Sequence, residues 1–123
     1  PAFKIYGSNY NTLDGTCVRD YIHVCDIAEI HSKILKKLNK TKKSVILNCG
    51  YSRGLSVKQV IDEFKKNIKK KIKIVYLPRR KGDMEKITAD NKKLRKFLNW
   101  KPKYDKLQKI VQSSIKWEKK LNA

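Results

Sequence analysis

Amphipathic helical segments alternate with short β-branched runs along this chain, and that alternation restricts the folds open to it. Between Asp26 and Leu38, apolar residues recur every three or four positions with lysines between them, which predicts an amphipathic helix. The run SVILN at residues 44–48 predicts a short buried strand. Ser56 then stands at the position of an N-cap, and the apolar spacing after it predicts a second helix.

The second half of the chain continues the alternation. The run IKIVYL at residues 72–77 predicts a strand, and Asp90 can cap a short helix through Phe97. The run NWKPKY supplies a packing corner, and apolar spacing from Leu107 onward predicts a last helix of about four turns. Strands alternating with helices, without an internal linker, predict one α/β unit spanning residues 1–123, with α+β as the alternative.

The net charge of +20 raises the question of a nucleic-acid partner, because a basic surface gains affinity by releasing phosphate counterions. Of the 31 basic residues, five are arginines and 26 are lysines, and the lysines are spread over every segment without interleaved aromatic residues. We therefore expect no specific nucleic-acid partner; a basic RNA-binding module is the alternative from another class. Neither an apolar run of membrane-spanning length nor a secretory signal occurs, so we expect a cytoplasmic protein without membrane contact.

Cysteine and histidine spacing excludes the common metal sites. Cys17, Cys25 and Cys49 are separated by eight and 24 residues, which matches no usual metal-ligand spacing. His23 and His31 do not complete a zinc motif with them. An odd number of cysteines without a secretory signal indicates reduced thiols. We therefore expect no structural metal.

Two arginine-containing segments are the candidate binding elements. In DGTCVRDYIHVCD, Arg19 presents a planar guanidinium that can bind phosphate oxygens or, equally, pair with Asp20 or another carboxylate. In PRRKGD, which follows a predicted strand, Arg79 and Arg80 stand together in a chain whose usual cation is lysine, which favours a need for bidentate geometry. Asp83 beside them can accept hydrogen bonds from ribose hydroxyls or simply neutralise the arginines.

The chain lacks the sequence signs of a catalytic centre or a cofactor site. Its five glycines form neither a GxGxxG nor a phosphate-loop pattern, so no dinucleotide site is predicted. None of its six tyrosines is followed by lysine four positions later. The nearest case, Tyr76 with Arg80, fails because arginine stays charged and is a poor proton shuttle. We therefore predict no catalytic residue in this chain.

Three runs of this sequence together resemble the UDP-glucose 4-epimerases. The run IYGSNYNTLDGTCVRDYIHVCDIAEIH is similar to that family's DGT-x-(V/I)RDYIHV segment. Residues 48–57 are similar to its N-x-G-x-x-x-G-x-SV segment, and RRKGDMEKITADNKKLRKFLNWKPKY is similar to its RR-x-GD…AD…K…LGWKP segment. The runs stand in the family's order and spacing, and the resemblance extends from about Phe3 to Trp117.

The resemblance implies a fold and an activity. The family joins an N-terminal Rossmann half, which binds NAD and carries a Tyr-x-x-x-Lys pair, to a C-terminal half that holds the UDP-sugar. This chain resembles only the latter, so the implied fold is the C-terminal substrate-binding part of an extended Rossmann-type epimerase. The implied activity is interconversion of UDP-glucose and UDP-galactose through a 4-keto intermediate, with NAD. Because the NAD-binding half is unmatched, we expect this chain alone to bind no NAD and to be inactive.

The resemblance also assigns site residues. Arg19 and Arg80 match the arginines that clasp the diphosphate, and Asp83 matches the carboxylate that binds the uridine ribose. The other assigned residues lie near the nucleotide or the sugar: Tyr21 at the nucleotide, Tyr6 near the uracil, Lys4 with a backbone contact to the base, and Ile87 beside the sugar. Some members carry Tyr or Cys at the position of Ile87, so the sequence does not define which hexose is preferred.

The expected partners follow from the same resemblance. They are UDP-glucose or UDP-galactose, together with a separate N-terminal NAD-binding half or a second copy of this chain, because a missing half leaves an apolar surface uncovered. A related sugar-nucleotide dehydratase, or an epimerase acting on another UDP-sugar, is the alternative on the same scaffold. The motif RDYIHV, residues 19–24, favours a 4-epimerase.

Overall fold

Helices and strands alternate in the computed structural model, which describes residues 2–68 and 71–122. Their order confirms the predicted α/β class. The strands are β1 (Phe3–Tyr6), β2 (Val18–Arg19), β3 (Leu55–Ser56), β4 (Ile74–Leu77) and β5 (Lys86–Ile87). The helices are α1 (Val24–Thr41), α2 (Val57–Asn67), α3 (Lys92–Leu98) and α4 (Leu107–Leu121). Within these described ranges, no helix has the length and apolarity needed to cross a membrane.

The three longer helices lie where the apolar spacing predicts them. At the start of α2, the Ser56 hydroxyl accepts a hydrogen bond from the Gln59 amide at 3.0 Å, and the Gln59 side chain accepts one from the Ser56 amide at 2.8 Å. This capping box satisfies donors that a helix N-terminus leaves free. At α3, Asn91 occupies the cap position instead of Asp90, although the Asp90 carboxylate accepts a hydrogen bond from the Lys92 amide at 3.0 Å.

The predicted strand at residues 44–48 is wrong. This run does not form a strand, and Ile46 in its middle is 85% exposed. Apolar composition favours burial, but a buried strand also needs a neighbouring strand to bond its backbone, and among the described residues none pairs with this run. The predicted strand at residues 72–77 does form, as β4, but it begins at Ile74.

Two small sheets determine which loops meet. β1 and β4 run parallel, with Tyr6 opposite Leu77, so both strands end at the same edge. In the second sheet β2 lies between β3, to which it is antiparallel, and β5, to which it is parallel. Arg19 on β2 is therefore directly opposite Ile87 on β5. The loops that follow β1 and β4 begin side by side, and the first of them leads into β2.

The hydrophobic core ties α1 to α3 and to the corner that follows α3. Its buried centre consists of Ile30, Tyr51, Leu94 and Trp100. Trp100 belongs to the run NWKPKY and is almost completely buried, which confirms the predicted packing corner. Full burial of an aliphatic side chain such as Ile30 or Leu94 stabilises a fold by about 1.5–3 kcal/mol. The core therefore joins the first helix to the C-terminal part of the chain.

Asp26 is a fully buried carboxylate in the first turn of α1. Its Oδ2 atom accepts hydrogen bonds from the Tyr51 hydroxyl at 2.6 Å and the Tyr104 amide at 3.0 Å, and its Oδ1 atom accepts one from the Lys103 amide at 3.2 Å. Burial raises the pKa of the Tyr51 hydroxyl, and its hydrogen bond to Asp26 raises that pKa further. One side chain thus holds together three segments that are remote in sequence.

We predict that Asp26→Ala lowers the free energy of unfolding by about 3 kcal/mol, because it leaves the buried Tyr51 hydroxyl and two backbone amides without their acceptor. Glu29→Gln is the control on the same helix. Glu29 is partly exposed and paired with Lys33 and Lys103, so its loss costs less than about 1 kcal/mol. Urea denaturation measures both values, and equal losses would contradict the role assigned to Asp26.

Candidate functional site

Arg19 and Arg80 meet at one carboxylate. The Oδ2 atom of Asp83 accepts a hydrogen bond from Arg80 Nε at 2.8 Å, and its Oδ1 atom lies 3.9 Å from Arg19 Nη2. Arg19 belongs to β2, whereas Arg80 and Asp83 belong to the loop after β4. The described residues pair Arg19 with Asp83 rather than with Asp20, and Arg19 also donates to the Val18 carbonyl at 2.8 Å. The two guanidinium groups therefore face a common site.

Tyr6 supports one of these arginines. The guanidinium carbon of Arg80 lies 4.7 Å from the centre of the Tyr6 ring, which is a cation–π distance. The hydrogen bond from Arg80 to Asp83 raises the pKa of the guanidinium. Lys4 is exposed and lies two residues before Tyr6, on the same face of β1. The structure thus brings Arg19, Arg80, Asp83 and Tyr6 together and places Lys4 on β1, the strand that carries Tyr6.

Arg79, the neighbour of Arg80, ties two loops to each other. Its Nε atom donates to the Asn9 side-chain oxygen at 2.8 Å, its Nη2 atom donates to the Asn9 carbonyl, and its guanidinium stacks on the Tyr10 ring at 4.1 Å. Gly7 leaves room for this stack, because it has a φ of +82° and a Cβ atom there would lie 2.2 Å from Tyr10 Cε2. Sequence reasoning missed this role, since two adjacent arginines look alike until their partners are known.

A polar hollow of about 530 Å³ opens beside Arg19. Ile87 lies directly opposite Arg19 in the sheet and is exposed on the wall of this hollow. Its lining comes from β2, from β5 and the residues after it, and from the extended run before Gly50: Arg19, Asp20, Leu47, Asn48, Cys49, Ile87, Thr88 and Ala89. Of these eight residues, Arg19 and Ile87 are predicted site residues, and the other six are not.

Asp20 organises one side of the hollow. Its Oδ1 atom accepts a hydrogen bond from the Tyr51 amide at 3.0 Å, and its Oδ2 atom accepts hydrogen bonds from the Ser52 amide at 2.9 Å and the Ala89 amide at 3.2 Å. A Cβ atom at Gly50 would lie 2.5 Å from Asp20 Oδ2, so this close approach requires glycine. Asp20 thereby fastens β2 to the turn at residues 51–52 and to the segment after β5.

Tyr21 lines a different cavity from Arg19. This apolar cavity has a volume of about 330 Å³ and lies against one face of α2 and the start of β1. Burial raises the pKa of the Tyr21 hydroxyl, and the nearby charge of Arg19 lowers it by a smaller amount. The lining residues of the cavity are Phe3, Tyr21, Val57, Val60, Ile61, Phe64 and Ile72. A role for Tyr21 at the nucleotide therefore stays a prediction.

Asp14 shapes the turn that leads into β2. One of its oxygens accepts hydrogen bonds from the Thr16 amide at 3.0 Å and the Thr16 hydroxyl at 2.7 Å, and the other accepts one from the Ser56 hydroxyl. Burial of Asp14 opposes its ionisation, but these hydrogen bonds outweigh that effect and lower the pKa of the carboxyl group. The turn before Arg19 is thus joined to the N-terminus of α2.

Together these groups can bind a phosphorylated ligand. Guanidinium groups bind phosphate oxygens through charged hydrogen bonds, an aromatic ring offers a stacking surface, and a carboxylate accepts hydrogen bonds from hydroxyl groups. In residues 2–68 and 71–122, no group of three or more His, Cys, Asp or Glu side chains is placed to hold a metal ion. The three cysteines of this part of the chain are free thiols.

The sequence matches one family model and several relatives. The family model of GDP-mannose 4,6 dehydratase matches residues 4–113. The chain is 40% identical over 121 residues to UDP-glucose 4-epimerase of Azospirillum brasilense, a match that covers 98% of this chain and 35% of that protein. It is 44% identical over 119 residues to UDP-arabinose 4-epimerase 1 of Arabidopsis thaliana, covering 97% of this chain and 28% of that protein.

Solved structures show the same similarity. UDP-glucose 4-epimerase of Stenotrophomonas maltophila, with bound NAD and formylated UDP-arabinopyranose, superposes with a TM-score of 0.91 at 34% identity, over 99% of this chain and 36% of that one. UDP-glucose 4-epimerase of Bifidobacterium longum, in complex with NAD+ and UDP, superposes with a TM-score of 0.85 at 37% identity, over 95% and 34%. This chain spans about a third of the length of the proteins it matches.

We predict that Asp14→Asn destabilises the protein at neutral pH by about 1 kcal/mol, and that this difference disappears in acid. The folded-state pKa of Asp14 lies below its ordinary value of 3.8. The ionised carboxylate therefore stabilises the fold above about pH 4, and that contribution is lost as the pH falls through the folded-state value. Urea denaturation of the wild type and of Asp14→Asn between pH 7 and pH 3 measures this difference in the free energy of unfolding. A difference that does not depend on pH would contradict the assignment.

We predict that Asp20→Asn lowers the free energy of unfolding by about 2 kcal/mol, because an asparagine amide group cannot accept the hydrogen bonds that one carboxylate oxygen now accepts. Asp90→Asn is the control. Asp90 accepts one hydrogen bond, from the exposed Lys92 amide, so we expect a loss of less than about 1 kcal/mol. Thermal and urea denaturation measure the two values. A loss for Asp20→Asn no larger than that of the control would show that Asp20 does not hold the hollow together.

Proposed function

This chain belongs to the GDP-mannose 4,6 dehydratase family, and from that membership we propose that it is the UDP-sugar-binding portion of a UDP-glucose 4-epimerase. The observation that carries the proposal is the meeting of Arg19 and Arg80 at Asp83. In this proposal residues 1–123 form a single substrate-binding unit. Similarity to epimerases over nearly the whole chain, but over only about a third of their own length, supports it.

The diphosphate of the ligand lies between the two guanidinium groups in this proposal. A hydrogen bond from a charged group contributes about 1.5–3 kcal/mol, so Arg19 and Arg80 together account for a substantial part of nucleotide affinity. Asp83 accepts hydrogen bonds from the ribose hydroxyls, Tyr6 lies near the uracil, and the backbone of Lys4 contacts the base. Stacking of Arg80 on Tyr6 supports this placement, because it orients the guanidinium next to an aromatic surface.

Firm binding of the nucleotide allows the sugar to react without being lost. Binding energy gained at groups that do not react can retain an intermediate while the reacting group changes orientation. NAD, when bound by the complete enzyme, supplies oxidation and reduction at C4 of the hexose. Within this chain, Arg19 and Arg80 hold the UDP group throughout, and Ile87 lies on the side of the hollow where the sugar is placed.

Among the described residues, the N-termini of α1 and α2 do not fit an NAD site. A dinucleotide site uses the free amides of a helix N-terminus that follows a glycine-rich turn. The N-terminus of α2, shortly after Gly54, is already capped by Ser56 and Gln59. That of α1 is capped by His23, whose Nδ1 atom accepts a hydrogen bond from the Cys25 amide at 3.0 Å. We therefore assign NAD and the catalytic base to a separate N-terminal half, and this chain alone is inactive in the proposal.

The proposed substrates are UDP-glucose and UDP-galactose, which places the complete enzyme in galactose metabolism. UDP-arabinose 4-epimerases are among the relatives, so another UDP-sugar is the alternative ligand of the same site. The partner is a separate N-terminal half or a second copy of this chain. A cytoplasmic location is favoured by the free thiols of the described residues, since such thiols persist in reducing compartments.

RNA binding is the second candidate function. Lys33, Lys36, Lys37 and Lys40 of α1, together with Leu98, line a hollow of about 430 Å³. Lysines that contact phosphates release counterions, so RNA bound to this surface would dissociate steeply as the salt concentration rises. A site built on Arg19 and Arg80 instead prefers UDP over unrelated phosphates. Binding measured at several salt concentrations separates the two functions.

We predict that Arg80→Gln weakens UDP binding by about tenfold or more, because it removes a charged donor to the diphosphate. Arg53→Gln is the control with the same change in net charge. Arg53 is exposed and donates to the Asp105 carbonyl, and we expect it to change affinity by less than about twofold. Isothermal titration calorimetry with UDP, UMP and uridine measures both.

Two results would contradict the proposed function. One is equal weakening of UDP binding by Arg80→Gln and Arg53→Gln, since a specific contact to the diphosphate distinguishes the two variants. The other is binding of RNA oligonucleotides with a steep salt dependence and no preference for UDP, which would favour the second candidate. Mixing this chain with a separately produced N-terminal epimerase half and assaying epimerisation tests the proposed partner.

A further inference from the structure

Arg79 attaches the loop after β4 to the rest of the structure. Its Nε atom donates to the Asn9 side-chain oxygen at 2.8 Å, and its Nη2 atom donates to the Asn9 carbonyl. In residues 2–68 and 71–122, these are the only hydrogen bonds that join residues 78–83 to another segment. The hydrogen bonds between Arg80 and Asp83 lie within the loop itself. The loop therefore depends on Arg79 for its hydrogen-bonded attachment.

The Arg79 guanidinium also packs against a buried aromatic ring. Its carbon atom lies 4.1 Å from the centre of the Tyr10 ring, which is a cation–π distance, and Tyr10 is 5% exposed. Two hydrogen bonds and a stack on one planar group form a geometry that a lysine ammonium cannot reproduce. This side chain thus makes a specific attachment and does not merely add positive charge.

The partners of Arg79 belong to the segment that leads to Arg19. In the loop after β1, the Tyr10 amide donates to the Gly15 carbonyl at 3.0 Å, so this loop is closed on itself. The loop continues directly into β2, which carries Arg19. Arg79 therefore joins the segment that carries Arg80 to the segment that carries Arg19.

The Arg80 side chain needs this attachment because it is itself held loosely. It is 61% exposed, and its partners are Asp83 of the same loop and the Tyr6 ring at 4.7 Å. An exposed arginine loses conformational entropy when a ligand fixes it, and a prearranged backbone lowers that cost. Arg79 is the next residue along the chain, so its anchoring fixes the backbone from which Arg80 extends.

We propose that Arg79 is a positioning residue for diphosphate binding: it holds the two loops in register so that Arg80 meets the ligand together with Arg19. This inference rests on the proposed function, because it concerns the ligand of that same site. The Arg79 guanidinium is already engaged by Asn9 and Tyr10. It therefore acts through Arg80 and makes no contact of its own with the diphosphate.

The first test is titration of UDP into the wild-type chain and three variants. We expect Arg79→Gln to weaken UDP binding about fivefold, because Arg80 is no longer prearranged. Arg79→Lys weakens it about threefold although the charge is kept, because lysine cannot make the paired hydrogen bonds and the stack. Lys81→Gln is the control, since Lys81 is exposed in the same loop and its loss changes the net charge equally. We expect it to change affinity by less than about twofold.

A double-mutant cycle separates positioning from direct contact. In the Arg80→Gln background, Arg79→Gln weakens UDP binding by less than about twofold, because the side chain that Arg79 positions is absent. A direct contact of Arg79 with the diphosphate would instead make the two losses multiply. A purely structural role would lower the melting temperature and leave the UDP affinity of the folded chain unchanged. Circular dichroism and thermal melting check the fold, and Asn9→Ala, which removes only the side-chain acceptor, repeats the measurement with a smaller change.

Amide hydrogen exchange tests the attachment without any ligand. We expect Arg79→Gln to speed exchange at the Tyr10 and Asp83 amides, one in each loop, by about threefold or more, because local opening of the loops becomes easier. The Lys42 amide, which donates to the Leu38 carbonyl at the end of α1, is the control. We expect its exchange rate to stay unchanged.

The inference is overturned if folded Arg79→Gln and Arg79→Lys bind UDP as tightly as Lys81→Gln does. It is also overturned if the losses from Arg79→Gln and Arg80→Gln multiply, or if exchange in the two loops is unchanged. Failure of the proposed function is a separate result, namely equal affinity of the wild-type chain for UDP and for inorganic pyrophosphate. The exchange measurement needs no ligand and decides the attachment in that case too, so the two failures are distinguishable.

Discussion

Three aspartates spaced six residues apart hold the described structure together by accepting hydrogen bonds from distant segments. Asp14 reaches Ser56, Asp20 reaches the turn at residues 51–52 and Ala89, and Asp26 reaches Tyr51 and the backbone at residues 103–104. A carboxylate leaves water without a large cost only when donors satisfy its oxygens. Each of these three side chains is therefore kept in place by donors from a distant segment, and Asp26, which is fully buried, depends on its donors most.

The hydrogen bonds of Asp20 also position the candidate site. Arg19 precedes Asp20 directly, so the hydrogen bonds that fasten Asp20 also fix the strand from which the Arg19 side chain extends. The loop after β4 reaches the same place from another direction, because β1 and β4 are parallel and end at one edge. Within that loop the two arginines make different contacts. Arg79 donates a hydrogen bond to the loop after β1, and Arg80 donates one to Asp83.

Much of this could be predicted from local signals. The periodicity of apolar residues located α1, α2 and α4, and Ser56 marked the start of α2, because a helix buries one stripe and exposes its first amides wherever it lies. The scarcity of arginine drew attention to the adjacent pair Arg79 and Arg80, since a bidentate guanidinium is hard to replace by lysine, and the guanidinium chemistry of Arg19 made it a further candidate. The resemblance to the epimerases then attached chemical roles to Asp83, Tyr6 and the remaining candidates, roles that stay proposals.

The sequence by itself determined the α/β class, the helices and the residue types available to a phosphate ligand, since each depends on periodicity, caps and side-chain chemistry within a short stretch. Only the tertiary structure decided that residues 44–48 lack a neighbouring strand among the described residues, that Tyr21 lines an apolar cavity, and that Arg80 rather than Arg79 shares Asp83 with Arg19. These outcomes depend on which remote segments become neighbours, and no local pattern encodes that.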